Sequence, residues 1–334
     1  MRSGKELLLH SKSFSCEIRG KSWFEILITL FLIGICFTLG FLRDVPILAR
    51  GIASITLALL YVRLFVIYHD YQHRAILQNS TLAHWIMVLV GIYLLAPETI
   101  WKRSHDHHHN NNSKLTLSGI GSYPLVSKDY FLSLPRKKQQ LYLINRHPMT
   151  VICGYLTLFI YWLNLKSFVQ SPRKHIDSLI ALLFHGAVSV LVFQYFGAGA
   201  FVLGWCLPFF ITFGIGSYLF YSQHNFPSAR FHEHNEWAYD KAAILSTSRM
   251  KMSPIMHWFT GNIGYHHVHH LNSRIPFYRL REAMQSMPEL DEVPTTSWHP
   301  LEVIRCLRLK VWDAELGKMI TMKQLKPAWR QMTK

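Results

Sequence analysis

Acidic residues are scarce in this chain: 19 Asp and Glu stand against 35 Lys and Arg in 334 residues, a formal net charge of +16. Charge of either sign is thin. Only 16% of residues are Asp, Glu, Lys or Arg, where a soluble domain carries roughly 25%. Cysteines number five, Cys16, Cys36, Cys153, Cys206 and Cys306, with no pair at CxxC spacing. An odd count without pairs excludes a disulfide framework and an iron–sulfur centre, leaving reduced, mostly packed thiols. There is no GxGxxG, no haem signature and no Glu-x-x-His. The chain therefore carries no recognisable redox cofactor site apart from whatever its side chains assemble. Zinc-finger spacing and RNA-recognition signatures are also missing, so the positive charge does not read as nucleic-acid binding. No internal repeat or low-complexity run occurs, and residues 107–112 come nearest to one.

What the chain does have is apolar residues in long blocks: half of it is hydrophobic and its mean hydropathy is +0.14. Four blocks, at about residues 24–42, 50–68, 178–196 and 200–221, are long enough to cross a bilayer. The first follows Arg2, Lys5, Lys12, Arg19 and Lys21 and has no small-residue cleavage site after it, so it reads as a retained anchor. Gly197-Ala198-Gly199-Ala200 reads as a tight turn between the last two spans. Arg63, near the end of the second, is placed to snorkel toward the interface. Two further blocks, 82–96 and 149–164, are short, and Pro97 closes the first. Basic residues flank both (Lys102, Arg103, Arg136, Lys137, Lys138, Lys166, Arg173), which puts both flanks on the cytoplasmic side and the blocks in the interface. The expectation is a single all-α domain over 1–334. It comprises four transmembrane helices, two interfacial helices and a helical cytoplasmic cap from 222 to 334.

Histidine is the anomaly. Twenty histidines exceed the nineteen acidic residues, and they cluster. His69-Asp70-Tyr71-Gln72-His73 ends the second span, with two imidazoles four apart on one helix face. His105-Asp106-His107-His108-His109 and His266-His267-Val268-His269-His270 each contain HxxHH. Read singly, these are a weak motif, a solvated polar tract and an interfacial patch. Read together they supply eight imidazoles on one side of the membrane, too many for one tetrahedral zinc. They suit two metals of higher coordination number, and imidazole is compatible with iron. His185 lies mid-span and reads as a neutral histidine bonded to a neighbouring helix. His10, His84, His147, His175, His232, His234, His257 and His299 have no ligand spacing to support them.

The ordered boxes HDYQH, HDHHH and HHVHH resemble the three histidine boxes of the membrane fatty acid desaturases. Trp258-Phe259-Thr260-Gly261-Asn262-Ile263-Gly264-Tyr265 before the third box, Leu271-Asn272-Ser273-Arg274-Ile275-Pro276 after it, and Tyr221-Ser222-Gln223-His224 are similar to the acyl-lipid Δ12/ω3-type branch. The resemblance covers roughly residues 50 to 285. It implies a di-iron centre with ligands at His69, His73, His105, His108, His109, His266, His269 and His270, and a ninth at His224. On residue type alone His224 is a hydrogen-bonded interfacial histidine. His107 and His267 occupy positions the pattern does not require and read as supporting or solvent-facing. Asp70 and Asp106 read either as carboxylates orienting a ligand imidazole or as solvated surface groups. Tyr71 and Gln72 depart from the small residues many members carry inside the first box, which bears on pocket shape and not on metal spacing.

The implied reaction is O₂-dependent desaturation of a membrane lipid acyl chain, with electrons from a separate ferredoxin or cytochrome b5-type donor docked on the basic cytoplasmic face. A lipid or carotenoid hydroxylase or ketolase on the same scaffold is the alternative. A His-rich metal transporter or a membrane zinc hydrolase stands further off, because the boxes sit at span ends and not at the midplane.

Overall fold

The computed structural model describes residues 2, 4–115, 120–232 and 237–331; His234 lies outside them. The chain is mostly helical, as its composition demands. Helix α1 (Gly4–Ser11) precedes two long apolar helices, α2 (Arg19–Phe41) and α3 (Ile47–Gln72). These pack side by side as a hairpin. Arg50 closes its far end by donating to the carbonyl of Gly40 at 3.0 and 3.1 Å, satisfying a carbonyl that the end of α2 leaves without a helical partner.

Helix α4 (Thr81–Tyr93) starts at Ser80, whose Oγ accepts from the amide of Ala83. Leu95, at φ +51°, and Pro97 then turn the chain by 89° into α5 (Glu98–Asn111). Two short polar helices follow, α6 (Lys128–Ser133) and α7 (Arg136–Asn145). The expected 149–164 element is longer and interrupted: α8 (Pro148–Ile152), a wide-turn helix over Tyr155–Lys166 and α9 (Ser167–Gln170). The break falls at Gly154, where any Cβ would collide with Ser217.

Helix α10 (Ile176–Ala200) and α11 (Leu207–Ser222), with the helical run Phe201–Cys206 between them, make a second hairpin. Gly197 supplies the turn at φ +80°, a backbone state that costs other residues strain. The folding back is proved by contact: the indole N–H of Trp205 donates to Ser189 Oγ at 2.7 Å. Sixteen residues of straight helix would hold them about 24 Å apart. Arg43 in the first hairpin's turn donates to Phe196 O in the second, so both turns lie at one end of the bundle. Arg19–Phe41, Ile47–Gln72 and Ile176–Ser222 are long and apolar enough to cross a membrane, and the last of these is the α10–α11 hairpin.

The remainder holds α12 (Tyr239–Leu245), α13 (Pro254–Phe259), α14 (His266–Leu271), α15 (Leu280–Gln285), α16 (Pro300–Arg308) and α17 (Met322–Gln331). It is not purely helical. Strands β1 (Arg249–Lys251) and β2 (Thr295–Ser297) pair in parallel, and β3 (Leu309–Asp313) and β4 (Lys318–Thr321) pair antiparallel. Val311 and Trp312 suit a strand buried on both faces. This layer also recruits earlier segments: the amide of Trp312 donates to Val126 O, and Arg146 donates to Leu309 O.

Arg63 does not snorkel. It is buried, pairs with Glu25, donates to Thr29 Oγ1 at 3.1 Å and to the carbonyl of Trp258, and stacks over the Trp258 ring at 4.0 Å. The outward path loses because inward partners satisfy its donors as water would. One guanidinium thus ties α2, α3 and α13 together.

Candidate metal centre

Four helix ends bring the histidine clusters to one place. The first cluster closes α3, the second occupies one face of α5, His224 follows α11, and the third forms α14. A tight turn aims the third: Gly261 and Asn262 adopt φ +51° and +56° between α13 and α14. A Cβ on Gly261 would also press against Val66 Cγ1 at 2.8 Å. Glycine there lets the third box approach α3.

The nine histidines named from the sequence fall into two groups. His69, His73, His105, His109 and His269 form one; His108, His224, His266 and His270 form the other, with candidate ligand atoms within 4.8 Å of one another in each. The groups adjoin, since the rings of His109 and His270 stack at 4.2 Å. All nine are buried except His73, which is half-buried.

Hydrogen bonding alone cannot hold this arrangement. His105 Nε2 stands 2.8 Å from His69 Nε2 and 3.1 Å from His109 Nε2, and His109 Nε2 also meets His269 Nε2 at 3.1 Å. In the second group His224 Nε2 lies 3.0 Å from His108 and 2.9 Å from His266, and His266 lies 3.1 Å from His270. A ring nitrogen has one lone pair or one proton, so it serves one such partner. A shared cation serves all of them. Nitrogens about 2.1 Å from one ion stand about 3.0 Å apart at neighbouring octahedral corners and about 3.4 Å apart at tetrahedral ones. The closest pairs, 2.8–3.1 Å apart, are as near as nitrogens that share one ion.

Protonation fits as well. Burial, reinforced by neighbouring imidazoles, pushes His73, His105, His108, His109, His266, His269 and His270 well below the ordinary histidine value. Burial brings His224 down to about 4. These eight histidines are neutral at physiological pH, the state a metal requires of imidazole.

The two aspartates part company. Asp70 is fully buried; its Oδ1 lies 3.3 Å from His69 Nδ1 and its Oδ2 accepts from the amide of Phe277 at 2.6 Å. Holding the proton on Nδ1 leaves the Nε2 lone pair of His69 facing the group. Asp106 is a surface residue, paired with Lys102 at 3.1 Å. His267, an alternative as solvent-facing, is instead packed in the core beside Met284 Sδ at 3.2 Å, with burial bringing it down to about 3. His107 lies outside both groups. His185 is buried and hydrogen-bonded to Tyr155 OH on the neighbouring wide-turn helix. His147 caps α8, and His175 Nδ1 meets Thr99 Oγ1.

Three cavities reach the histidines, the smallest, of about 20 Å³, touching His108 and His224. A narrow slot of about 40 Å³ runs between α3 and α11, lined by Val62, Phe65, Thr212, Phe213 and Gly216, and ends at His69 and His266, one residue from each group. A larger cavity of about 410 Å³ lies beside α5 and the Tyr155–Gln170 segment and reaches His105; Trp162 and Lys166 stand on its wall. The slot and the larger cavity share Phe159 and Phe220. The sequence does not single out the residues that wall the slot, because they are ordinary apolar helix residues. Nor does it single out the Phe277 amide, which carries no sequence signal.

The fold and site define a membrane protein with two adjoining, all-histidine groups able to hold metal beside an apolar slot. Comparison with known proteins carries this to a family. A model of the fatty acid desaturase family matches residues 46–300, and the chain belongs to that family of oxidoreductases. It is 28% identical over 284 residues to a fatty acid desaturase of Bacillus subtilis (strain 168), covering 85% of this chain and 80% of the relative. It is 26% identical over 275 residues to an sn-1 oleoyl-lipid 12-desaturase of Synechocystis sp., covering 80% and 76%. An sn-1 acyl-lipid omega-3 desaturase (ferredoxin) of the same organism is 26% identical over 267 residues, covering 72% and 68%.

Proposed function

We propose that this protein desaturates the acyl chain of a membrane lipid, using two iron ions held by its nine clustered histidines. One ion falls to His69, His73, His105, His109 and His269, the other to His108, His224, His266 and His270. The observation that carries this reading is the pair of adjacent imidazole groups sharing an apolar slot. The chemistry such a pair supplies when bound is activation of O₂ into an oxidant able to take hydrogen from a methylene.

The protein's part is positional. The slot residues align the tail of the substrate, apolar walls exclude water from the reacting carbons, and Asp70 fixes the tautomer of His69. The reaction balances as CH₂–CH₂ + O₂ + 2 e⁻ + 2 H⁺ → CH=CH + 2 H₂O, forming a cis double bond.

α2, α3 and the two arms of the α10–α11 hairpin are read as four spans. α4 and the Pro148–Gln170 segment lie in the interface, and the single domain's polar cap holds the site on the cytoplasmic side. The basic residues flanking those segments support that orientation. Electrons come from an acidic one-electron carrier of the ferredoxin or cytochrome b5 type.

The test is expression in a host with a simple lipid profile, followed by fatty acid methyl ester analysis and iron determination. The expected outcome is a new double bond and about two irons per chain. An inserted oxygen in place of the double bond supports the hydroxylase alternative, and one zinc per chain overturns the reading.

A further inference from the structure

The slot between α3 and α11 is walled almost wholly by apolar side chains. Its lining runs from His69 and His266 at one end to Val62 and Thr212 at the other. Val62 is seven residues before His69 on α3, so the slot descends about 10 Å at 1.5 Å per residue. Thr212 turns its hydroxyl away from this space, donating to the carbonyls of Pro208 and Ala58 at 2.7 and 3.0 Å. A slot so poor in polar partners cannot take a carboxyl ester or a head group, whose burial without hydrogen bonds is costly. It can take the methyl end of a chain.

Gly216 stands on the slot wall one helical turn above Thr212. A Cβ built on it meets no atom within 4 Å, whereas Cβ atoms on its neighbours Gly214 and Gly154 would press on backbone or side-chain atoms. The other two glycines are needed for packing, whereas a Cβ at Gly216 would find open space. Its missing side chain is open space inside the slot.

Resting on the desaturase reading above, we infer that Gly216 sets how deeply the methyl end enters, and so which carbons stand beside the metals. Regiochemistry is then counted from the methyl terminus. A side chain at 216 shortens the usable slot, so fewer carbons fit beyond the site. The new double bond must move toward the methyl end.

The experiment is the series Gly216→Ala, Gly216→Val and Gly216→Leu, expressed in full-length form and supplied with saturated and monounsaturated chains of 14 to 18 carbons. Double-bond position is read by mass spectrometry of derivatised products, and iron per chain is measured alongside. A graded shift toward the methyl end, largest for Leu, with iron unchanged, is the expected result. A second measurement uses the metal-free protein in detergent, read by native mass spectrometry for bound fatty acids of 10 to 18 carbons; Gly216→Leu should favour shorter chains than the parent.

Active variants whose double bond stays at the parent carbon, or moves toward the carboxyl end, overturn the inference. So do iron-loaded variants that make no product from any chain while binding fatty acids with the parent's length preference. A parent chain that forms no double bond at all sinks the underlying desaturase reading instead.

Discussion

The carboxylate of Asp70 receives the backbone N–H of Phe277 at 2.6 Å while its other oxygen faces Nδ1 of His69 at 3.3 Å. One buried side chain therefore sets the tautomer of a first-box imidazole and pins the strand of chain that leaves the third box. Asp70→Asn keeps the shape and removes the charge. Its amide either turns an N–H toward the His69 ring or offers an N–H where Phe277 needs an acceptor. Removing such an outer partner typically lowers metal affinity about 10–100-fold. The expected outcome is loss of iron to a chelator at a concentration the parent withstands, with the helical content retained. Equal iron retention in the two proteins would remove the role assigned to Asp70.

His224 is the histidine on which residue type and the family resemblance disagree. Residue type alone makes it an interfacial hydrogen bonder, yet its Nε2 stands 2.9 Å from His266 and 3.0 Å from His108. His224→Ala should cut iron from about two per chain toward one and abolish desaturation. His299→Ala, outside both groups, should leave iron intact. Two irons retained in the His224 variant would strike it from the ligand set.

Helical spacing made much of this site legible. His105, His108 and His109 share a face because i, i+3 and i+4 must, and Pro97 and Gly197 announced the bends that bound their helices. The long-range partners were illegible. Arg63 sat within an apolar block, and nothing local said that Glu25, 38 residues away, and Trp258, 195 away, would draw it inward. His267 is flanked by clustered histidines and still packs on Met284, since a step of one residue turns a helical side chain by 100°. The β3–β4 hairpin was missed because its strands are short and its apolar run does not alternate.

Arg63 and Glu25 give a test of the inward reading. Arg63→Met leaves the Glu25 carboxylate without its cation and the carbonyl of Trp258 without a donor. Breaking a buried pair on one side typically costs about 3–5 kcal/mol, whereas replacing both partners is far milder. Thermal unfolding in detergent should show Arg63→Met well below the parent, and Glu25→Gln/Arg63→Met recovering part of the loss. A single variant as stable as the parent would return Arg63 to the interface.

Reduction by an external carrier should depend on the exposed basic residues Arg103 and Arg274. Lys102 is a weaker candidate because it is already engaged with Asp106. Exposed charges act chiefly on encounter, so Arg274→Glu or Arg103→Glu should slow reduction by an acidic donor at low salt. The difference should fade as ionic strength rises and the Debye length falls to about 8 Å or less. Stopped-flow reduction across a salt series measures it, and rates unchanged at low salt would place the donor elsewhere.

Acid should loosen the metal-free protein through the histidines themselves. In the unfolded chain each imidazole takes a proton near pH 6.5. In the folded protein burial delays that until about 4 for His224 and about 3 for His267, and further clustered imidazoles lie well below the ordinary value. Between those limits the unfolded state binds more protons, so stability falls as pH drops; above about 7.5 both states are neutral and the dependence vanishes. Each such histidine contributes up to about 1.4 kcal/mol per pH unit within its window. The iron-free protein should therefore show the same Tm at pH 7.5 and 8.5, and a steep decline from pH 6.5 to 5. Iron should raise the whole curve, because protons and metal compete for the same lone pairs. A Tm for the iron-free protein that is equal at pH 8 and pH 5 would mean that these imidazoles are not buried as neutral groups, and the two histidine groups would lose their claim to bind metal as they stand.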